Sequence, residues 1–448
     1  MTQYAVVDPS TGERVRQYSI ATDEEVRASL NLVDSGYRRW SREFSVAQRA
    51  SLIRTVGELH RERRDSLATK MHQEMGKAID QALGEVDFSA TIYEYYADHA
   101  EEFLADEPVA LDDGRGEAFV RRVPLGPILG IKAWNYPIAL VARLVAPNVV
   151  LGNTILMKHA PQCPSSAVAI EEIFTDAGVP EGVFKNIYAT NEQIRDIIAD
   201  PRIQGVSLTG SDRAGAAVAE VAGRHLKKVV LELGGSDPFI VLDSYDLDAT
   251  VEAAYAARMV SNAGQVCNAP KRMIVLEDVY DEFLQRLIAK IQGADNGIAP
   301  LSSLEAAEKL ERQVQQAVRS GAKLYAKGER RGAAYPPAVL ADLDPAADVC
   351  KEELFGPVAL VFKATDEDEA VAIANDTPYG LGSYVFGSDT RQTQRVAEKL
   401  DAGMVYINLV QADAVQAPFG GVKRSGFGRE LGSFGIDEFV NKKLIHTR

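Results

Sequence analysis

The sequence has few cysteines, and their scarcity limits the chemistry that the protein can use. Cys163, Cys267 and Cys350 are the only three in 448 residues, and they are odd in number and far apart. Such a set argues against a disulfide framework and for a reducing cytoplasm. The six histidines are scattered, and no Cys/His spacing resembles a zinc site. We therefore predict no bound metal and no zinc-dependent chemistry.

The sequence also lacks an excess of positive charge and a long apolar run. The net charge is −15, from 64 acidic and 49 basic residues, so the surface repels nucleic acid and anionic membranes. The opening MTQYAVVDPSTGE has no basic segment followed by an apolar one, which argues against a secretory signal. The most apolar region, 137–157, contains Arg143 and Pro147 and is too broken to span a bilayer. We expect a cytoplasmic protein that binds neither nucleic acid nor membrane.

The first hundred residues carry the signals of helices after one opening strand. Thr22 and Glu25 form a capping-box pattern, and Ser45 and Gln48 repeat it. Apolar residues follow each cap at steps of three and four. The segment 74–104 continues as helix in this interpretation.

The remaining chain has an α/β pattern, and 448 residues suffice for two or three domains. LDDGRGEAFVRRVPLGPILGI (111–131) predicts a hairpin with Gly and Asp at its turn. From about residue 128, short apolar runs alternate with helical patterns. This alternation predicts parallel sheets covered by helices.

GVSLTGSDRAGAAVAEVAG (205–223) predicts a strand, a turn at Gly210 and Ser211, and an alanine-rich helix. Free backbone N–H groups at a helix start suit an anion such as a pyrophosphate. The spacing differs from the G-x-G-x-x-G fingerprint. A capped helix with no ligand is the alternative interpretation.

Two further segments each carry one polar side chain of interest. VVLELGGSDP (229–238) places Glu232 in an apolar strand, where a carboxylate is expensive to bury unless it is paired or used. It is either a general base or an acid at a strand end in water. KAWNYP (132–137) contains Asn135, whose amide either donates to an oxyanion or caps the next helix.

SNAGQVCNAPKR (261–272) places Cys267 in a polar, glycine-containing bend. Such a bend exposes both the sulfur and the backbone N–H, and a thiolate is a strong nucleophile when its site favours ionisation. The alternative, a small buried hydrophobic residue, fits Cys163 and Cys350 better.

Taken in order, these segments resemble the aldehyde dehydrogenase superfamily over essentially the full length of the chain. The matching segments are WNYP, LELGGSDP, GQVC, EELFGPV, NDTPYGL and PFGGVKRSGFGRELG (418–432). They are long and occur in the right order, which makes a chance match untenable.

The resemblance implies an α/β fold with three parts. A Rossmann-type cofactor domain covers 1–108 and 127–233, and an α/β catalytic domain covers 234–426. A small β arm, 109–126 together with 427–448, pairs subunits in this family. We therefore expect a homodimer or a homotetramer.

The resemblance also implies roles for single residues. Cys267 matches the nucleophile and Glu232 the general base, while Asn135 and the Cys267 N–H match the oxyanion hole. The presence of Glu232 favours hydrolysis of the thioester over transfer to coenzyme A. The positions that match the family's nicotinamide cofactor site are Trp134, Lys158, Gly210, Ser211, Leu233, Glu353 and Phe355.

The combination of ILMKHAPQCP and VVLELGGSDPFIVL resembles most the shorter succinate-semialdehyde dehydrogenases. Arg143 falls where such enzymes often hold the substrate's distal carboxylate; a helix-surface arginine paired with a neighbouring acid is the alternative.

The sequence departs from the pattern of these enzymes at two positions. Ser261 occupies the position of a second arginine, with Arg258 nearest to it, and Asp413 stands where a small hydroxyl residue is expected. Another small aldehyde, or a non-catalytic binding role, remains as an alternative.

The cofactor is predicted to be NAD or NADP. NAD-specific relatives often carry a glutamate three residues after the lysine, and here that residue is Pro161. Without that carboxylate a 2′-phosphate is not repelled, and Lys158 and His159 can attract it. Use of NADP, alone or beside NAD, follows.

Overall fold

The computed structural model describes residues 3–112, 114, 116–244, 246–294, 299–410 and 412–448. It confirms the predicted α/β class. Two large, mostly parallel sheets carry helices on their faces, and a small antiparallel sheet lies apart from them.

Most of the long helices precede or surround the first large sheet. In chain order, the elements of the first half are β1 (Tyr4–Val7), β2 (Arg14–Tyr18), α1 (Asp23–Glu43), α2 (Val46–Glu62), α3 (Arg64–Met75), α4 (Ile79–Asp98), α5 (Ala100–Phe103), β3 (Glu107–Val109), β4 (Glu117–Pro124), β5 (Pro127–Ile131), α6 (Ala139–Leu151), β6 (Thr154–Lys158), α7 (Pro164–Asp176), β7 (Phe184–Asn186), α8 (Asn191–Ala199), β8 (Gly205–Thr209) and α9 (Asp212–Arg224).

The second half builds the other large sheet and returns to the first. Its elements are β9 (Lys228–Glu232), β10 (Asp237–Val241), α10 (Leu247–Tyr255), β11 (Pro270–Leu276), α11 (Glu277–Gly293), α12 (Leu304–Arg319), β12 (Lys323–Ala326), β13 (Ala338–Ala341), β14 (Val358–Ala364), α13 (Glu367–Asn375), β15 (Tyr379–Gly380), β16 (Tyr384–Phe386), α14 (Thr390–Glu398), β17 (Tyr406–Ile407), β18 (Val422–Lys423), β19 (Gly426–Phe427), α15 (Gly432–Ile436) and β20 (Val440–Thr447).

The first large sheet has the strand order β19-β9-β8-β5-β6-β7. Strands β5 to β9 are parallel, and β19 joins β9 antiparallel. The chain runs from β5 outward to β6 and β7, then returns to the other side of β5 for β8 and β9. This reversal opens a crevice at the carboxyl ends of β5 and β8, the usual ligand position in such sheets.

The second large sheet has the order β12-β13-β14-β11-β10-β16-β17, with only β12 antiparallel to its neighbour. The central strand is β11, and Cys267 immediately precedes it. The chain crosses from the first sheet to the second between the end of β9 and the start of β10. The carboxyl end of β9 and the amino ends of β10 and β11 therefore lie on the path between the two sheets.

The small sheet has the order β20-β4-β3. The predicted hairpin is present, because β3 pairs antiparallel with β4; Asp113 and Arg115, in its turn, lie outside the described residues. Strand β20 pairs along the whole of β4, from Val440 opposite Pro124 to Thr447 opposite Glu117. The end of the predicted hairpin segment belongs instead to β5 in the first large sheet.

The two capping boxes form as predicted, at Thr22 and at Ser45. The continuous helix predicted over 74–104 is wrong. Helix α3 ends at Gly76, whose φ of 77° lies in the left-handed region that glycine adopts without strain. Lys77 then turns inward, where its side chain is buried against Glu85 of α4. Among the described residues no helix combines the length and apolarity needed to cross a membrane.

Candidate active site

The loop that carries the candidate nucleophile is held in an unusual backbone conformation. Asn262, Ala263 and Gly264 have φ values of 45°, 50° and 74°. A Cβ at Gly264 would lie 2.7 Å from the carbonyl oxygen of Arg258, so only glycine fits there. The Asn262 amide donates to the Gln265 carbonyl at 3.2 Å and stabilises the turn. This compact turn brings Cys267 to the wall of a cavity.

The cavity measures about 440 Å³, and Cys267 is half-buried at its wall. Its lining includes Lys77, Gln81, Gly84, Glu85, Phe88, Tyr136, Ala139, Leu140, Arg143, Ser261, Val266, Asn268, Asp413 and Phe419. Burial raises the pKa of the Cys267 thiol to about 12, and the charges of Arg143 and Lys271 oppose that rise. Cys163 and Cys350 are buried, as predicted.

Asn135 lies beside the nucleophile loop. Its amide nitrogen donates to the Gln265 carbonyl at 3.2 Å. The main-chain carbonyl of Asn135 accepts from the Lys77 ammonium at 2.7 Å and from the Asn262 amide at 3.0 Å. The bond to Gln265 orients the side-chain amide, whose second N–H makes no hydrogen bond to any residue that the structure describes.

The alternative prediction, that Asn135 caps the next helix, is wrong. The Glu85 carboxylate takes that place: it accepts from the N–H groups of Ile138 and Ala139, at 2.9 and 3.1 Å, where α6 begins. A carboxylate at this end also suits the helix dipole.

Glu232 ends β9 and is only 3% exposed, so the prediction of a strand-end acid in water is wrong. Neither carboxylate oxygen has a hydrogen-bond partner among the described residues. Burial and the nearby Glu430 raise the pKa of Glu232 well above its usual range, against the charges of Arg143 and Lys132. Glu232 is not among the described residues that line the cavity. It is connected to the site electrostatically, because the charge of Arg143 interacts with both Glu232 and Cys267.

Two charged residues in this region were given no role from the sequence. Lys132 follows β5, and its ammonium bonds Glu430 at 2.8 Å, Ser207 at 2.9 Å and Thr209 at 3.1 Å. Glu430 lies 4.0 Å from the Arg143 guanidinium. A partial signal was present in the sequence, since Glu430 belongs to the matched segment PFGGVKRSGFGRELG and Lys132 lies two residues before the matched WNYP.

Arg143 lies inside α6, and the prediction of a helix-surface arginine is wrong because its side chain is 9% exposed. Its guanidinium carbon is 4.0 Å from the centre of the Phe419 ring, and a guanidinium nitrogen is 3.7 Å from Asp413. Asp413 in turn accepts from Tyr406 at 2.7 Å and from Asn268 at 3.2 Å. The arginine therefore enters the cavity with a carboxylate beside it.

Of the two residues weighed as a second substrate contact, only Ser261 lines the cavity. Arg258 is fully buried, and its guanidinium donates to the carbonyls of Gly264 and Leu354, at 3.1 and 2.6 Å. Arg258 thus holds two loops together and is not exposed to a substrate.

The crevice of the first sheet has features that fit a dinucleotide. Ser211 caps α9 by accepting from the Ala214 N–H at 3.3 Å, and the other N–H groups of the first turn suit a pyrophosphate. A Cβ at Gly215 would lie 2.7 Å from Leu233, so the helix packs closely on the end of β9. Gly210 completes the turn, and its N–H donates to the Glu232 carbonyl at 3.0 Å.

Lys158 ends β6 at the same edge of the sheet. Burial lowers the pKa of its ammonium to about 8, and in the described part of the chain no carboxylate forms an ion pair with it. A bound anion would raise that pKa again and stabilise the charged form. The neighbouring Pro161 offers only its carbonyl, which accepts from the Ala5 N–H at 3.1 Å. His159 is buried against Asn186 at 3.2 Å and does not face a ligand.

Glu353 and Phe355 extend the crevice toward the second sheet. The Glu353 carboxylate accepts from the Gly235 N–H at 3.1 Å and is 3.7 Å from the Lys271 ammonium. The Phe355 ring meets Trp134 edge to face, with centres 5.7 Å apart. The predicted cofactor residues thus lie along one path that runs from β6 to the nucleophile loop.

A dinucleotide-type crevice beside a cavity with a buried thiol defines an α/β oxidoreductase that uses a cysteine. The chain belongs to the aldehyde dehydrogenase family, whose model matches residues 1–445.

Relatives with specific names are similar over nearly their whole length. A Deinococcus radiodurans protein named succinate-semialdehyde dehydrogenase, NADP(+), is 51% identical over 455 residues, which cover 99% of this chain and 94% of that protein. A succinate semialdehyde dehydrogenase, NAD(P)+, of Escherichia coli is 40% identical, with 98% and 96% covered. The solved structure of succinic semialdehyde dehydrogenase from Streptococcus pyogenes with NADP+ has a TM-score of 0.96 and 38% identity, with 99% of each chain covered.

Proposed function

We propose that the protein oxidises succinate semialdehyde to succinate with NADP. The observation that carries this proposal is the position of Arg143, which lines the same cavity as Cys267. With the aldehyde carbon at the sulfur, the far end of a short substrate is proposed to bind Arg143 in the same cavity. A guanidinium binds a carboxylate through two parallel hydrogen bonds. The names of the relatives point to the same substrate.

In this proposal Cys267 adds to the aldehyde carbon as a thiolate. The oxygen of the resulting thiohemiacetal becomes negative, and the Asn135 amide and the Cys267 N–H stabilise it. The Asn135 side chain is already oriented by its bond to the Gln265 carbonyl. When bound, the nicotinamide dinucleotide supplies a two-electron acceptor for this carbon. The product on the enzyme is a thioester of Cys267.

Glu232 serves in the second half of the reaction. Its carboxylate takes a proton from water, which adds to the thioester and releases the acid and the Cys267 thiol. The raised pKa of Glu232 makes it a stronger base than an exposed carboxylate. The charges of Arg143 and Lys132 oppose that rise and favour the ionised form that this role requires.

The cofactor-binding roles are assigned to Trp134, Lys158, Gly210, Ser211, Leu233, Glu353 and Phe355. The buried ammonium of Lys158 and the missing acid at Pro161 favour a 2′-phosphate and therefore NADP. Glu353 is assigned to the nicotinamide ribose and the start of α9 to the pyrophosphate.

We also propose the division into a cofactor domain (1–108 and 127–233), a catalytic domain (234–426) and pairing segments (109–126 and 427–448). The exposed strand β20, in which Leu444 is 62% exposed, supports pairing of the small sheet with a second copy. We therefore propose a homodimer or homotetramer, and we place it in the cytoplasm as a separate proposal.

Asp413 favours a second candidate, a small aldehyde without a distal carboxylate. Its carboxylate lies 3.7 Å from the Arg143 guanidinium and competes with an anionic substrate for it. If the substrate has no distal carboxylate, Arg143 has a structural role and does not bind the substrate.

One assay separates these candidates: cofactor reduction with succinate semialdehyde and with butyraldehyde, each with NAD and with NADP. We expect a kcat/KM for succinate semialdehyde about a hundredfold higher, since a charged hydrogen-bonded pair contributes about 3 kcal/mol. Equal or reversed rates would refute the carboxylate assignment. Cys267→Ala is the control. In an enzyme this substitution should abolish turnover and retain cofactor binding, whereas a non-catalytic binding protein would show no turnover even before the substitution.

A further inference from the structure

Lys271 is a buried lysine whose ammonium is directed at the loop that carries the nucleophile. It is the second residue of β11, and its side chain is 1% exposed. Its ammonium donates to the carbonyls of Cys267 at 2.6 Å, Val266 at 3.1 Å and Ala269 at 3.4 Å. One cation thus binds three main-chain oxygens of the segment 266–269, which contains Cys267.

The same ammonium reaches the second loop of the site. Glu353, assigned above to the cofactor ribose, lies 3.7 Å from it. Removing an ammonium from water is expensive unless hydrogen bonds and an opposite charge compensate it. The four oxygens around Lys271 provide that compensation, and all four belong to the nucleophile loop or to Glu353.

We propose that Lys271 is a positioning residue for the nucleophile. Its ammonium fixes the main chain of 266–269 so that the Cys267 N–H and sulfur meet the same substrate carbon, and its charge favours the thiolate. Through Glu353 it also ties this loop to the cofactor crevice. The inference deepens the proposed function and rests on the role of Cys267 as nucleophile.

The charges around the thiol support this role. Burial raises the pKa of Cys267; Arg143 of α6 and Lys271 of β11 oppose the rise, whereas Asp413 and Asp237 increase it. The charge of an ionised Cys267 in turn contributes to the raised pKa values of the Tyr136 and Tyr384 phenols. Lys271 is therefore one of the cations that favour the thiolate.

Lys271 has its own electrostatic neighbours. Burial lowers the pKa of its ammonium, and Arg258 lowers it further, while Glu353, Asp237 and Cys267 raise it. Glu353, Asp237 and Cys267, when ionised, thus oppose the loss of the lysine's charge that burial favours.

The test measures the reaction of the thiol alone, without aldehyde or cofactor. The second-order rate constant for alkylation of Cys267 by iodoacetamide is recorded from pH 7 to pH 10, with the modified residue identified by mass spectrometry. In Lys271→Met we expect the profile to move up by about one pH unit or more, since loss of a nearby opposite charge has that effect. At any fixed pH in this range alkylation is then about tenfold slower.

Arg272 offers a matched control next in the chain. It is equally buried, but its guanidinium donates to carbonyls of Ser236, Ile373 and Ala374, away from the nucleophile. Arg272→Met should lower thermal stability and leave the alkylation profile where it is. A Lys271→Met profile identical to that of the wild type, or shifted no more than that of Arg272→Met, would overturn the proposal.

Two conservative variants guard against misfolding of Lys271→Met. Lys271→Gln keeps an N–H donor and lacks the charge, so its profile should also move up. Lys271→Arg keeps both the donor and the charge, so its alkylation profile should match that of the wild type. A folded Lys271→Arg variant whose profile matches that of Lys271→Gln would count against the proposal. A different result would refute the proposed function: aldehyde turnover that stays intact after alkylation of Cys267 alone.

Discussion

The guanidinium of Arg143 lies 3.7 Å from the carboxylate of Asp413 inside the cavity that holds Cys267. The two residues are 270 positions apart, and the aspartate is held in place by Tyr406 and Asn268. The cation proposed to bind the substrate thus has a built-in competitor. The Arg143 guanidinium attracts a substrate carboxylate less strongly because the Asp413 carboxylate already interacts with it.

Asp413→Ser should therefore strengthen binding of an acid-bearing aldehyde. We expect KM for succinate semialdehyde to fall about tenfold, which corresponds to ~1.4 kcal/mol, and KM for butyraldehyde to stay unchanged. Arg143→Met should have the opposite effect and raise KM for succinate semialdehyde alone. Steady-state kinetics with both aldehydes check this; a parallel change for both substrates would show that Asp413 acts on the cavity in general.

Glu232→Gln should separate the two halves of the reaction. Glutamine has nearly the same shape but cannot take a proton from water, so kcat should fall by about 10²–10⁴. Acylation remains possible, so rapid mixing should show one reduced cofactor per site, followed by slow turnover. Intact-mass measurement should then find succinyl on Cys267. Full turnover in this variant, with no acylated protein, is the result that contradicts the assignment.

Lys158→Met should weaken NADP binding more than NAD binding. Loss of a charged hydrogen bond to the 2′-phosphate costs about 2 kcal/mol, or about thirtyfold in Kd. In the wild type, NADP affinity should also fall as pH rises above about 8, because the buried ammonium then loses its proton. Titration by cofactor fluorescence measures both effects, with NAD as the internal control. Equal losses for the two cofactors would leave Lys158 without a phosphate role.

His60 should make the fold sensitive to acid. It is fully buried in α2, its Nδ1 lies 2.7 Å from the Val56 carbonyl, and burial lowers its pKa to about 4 from an ordinary 6.5. The unfolded chain therefore takes up a proton between pH 6.5 and 4 that the folded chain does not, so this contribution to stability is present above pH 6.5 and lost as pH falls.

Denaturant unfolding of wild type and His60→Phe at pH 7.5 and pH 4.5 measures that contribution. The difference in the free energy of unfolding, variant minus wild type, should increase by about 2–3 kcal/mol when the pH is lowered from 7.5 to 4.5. His225, which is exposed, provides a control substitution to glutamine that should show no such gain. A constant difference between His60→Phe and wild type would contradict the prediction.

Much of the site could be predicted from local sequence. A cysteine in a glycine-containing bend and an acid in an apolar strand were each suspicious, because those environments are costly or unusual for those groups. The amide of Asn135 was not, and only the resemblance to the family implied its role in an oxyanion hole. The capping boxes at Thr22 and Ser45 were predicted for a similar reason, since they satisfy backbone groups within four residues.

Other features could not be predicted, because they depend on contacts between distant segments. The periodicity of 74–104 was helical, and nothing local indicated that Lys77 would turn inward to meet Glu85 and the Asn135 carbonyl. Nor did the pattern around Asn135 show that Glu85 would cap α6 in its place.

The sequence by itself determined the α/β class and the family and indicated candidate reacting groups, because these depend on residue types and on short motifs in a fixed order. Only the tertiary structure decided how those groups are charged and held. Burial raises the pKa values of Cys267 and Glu232, and Lys271 reaches Glu353 across 82 positions of chain. Electrostatic energy depends on distance and on exclusion of water, and both arise only when distant segments pack together.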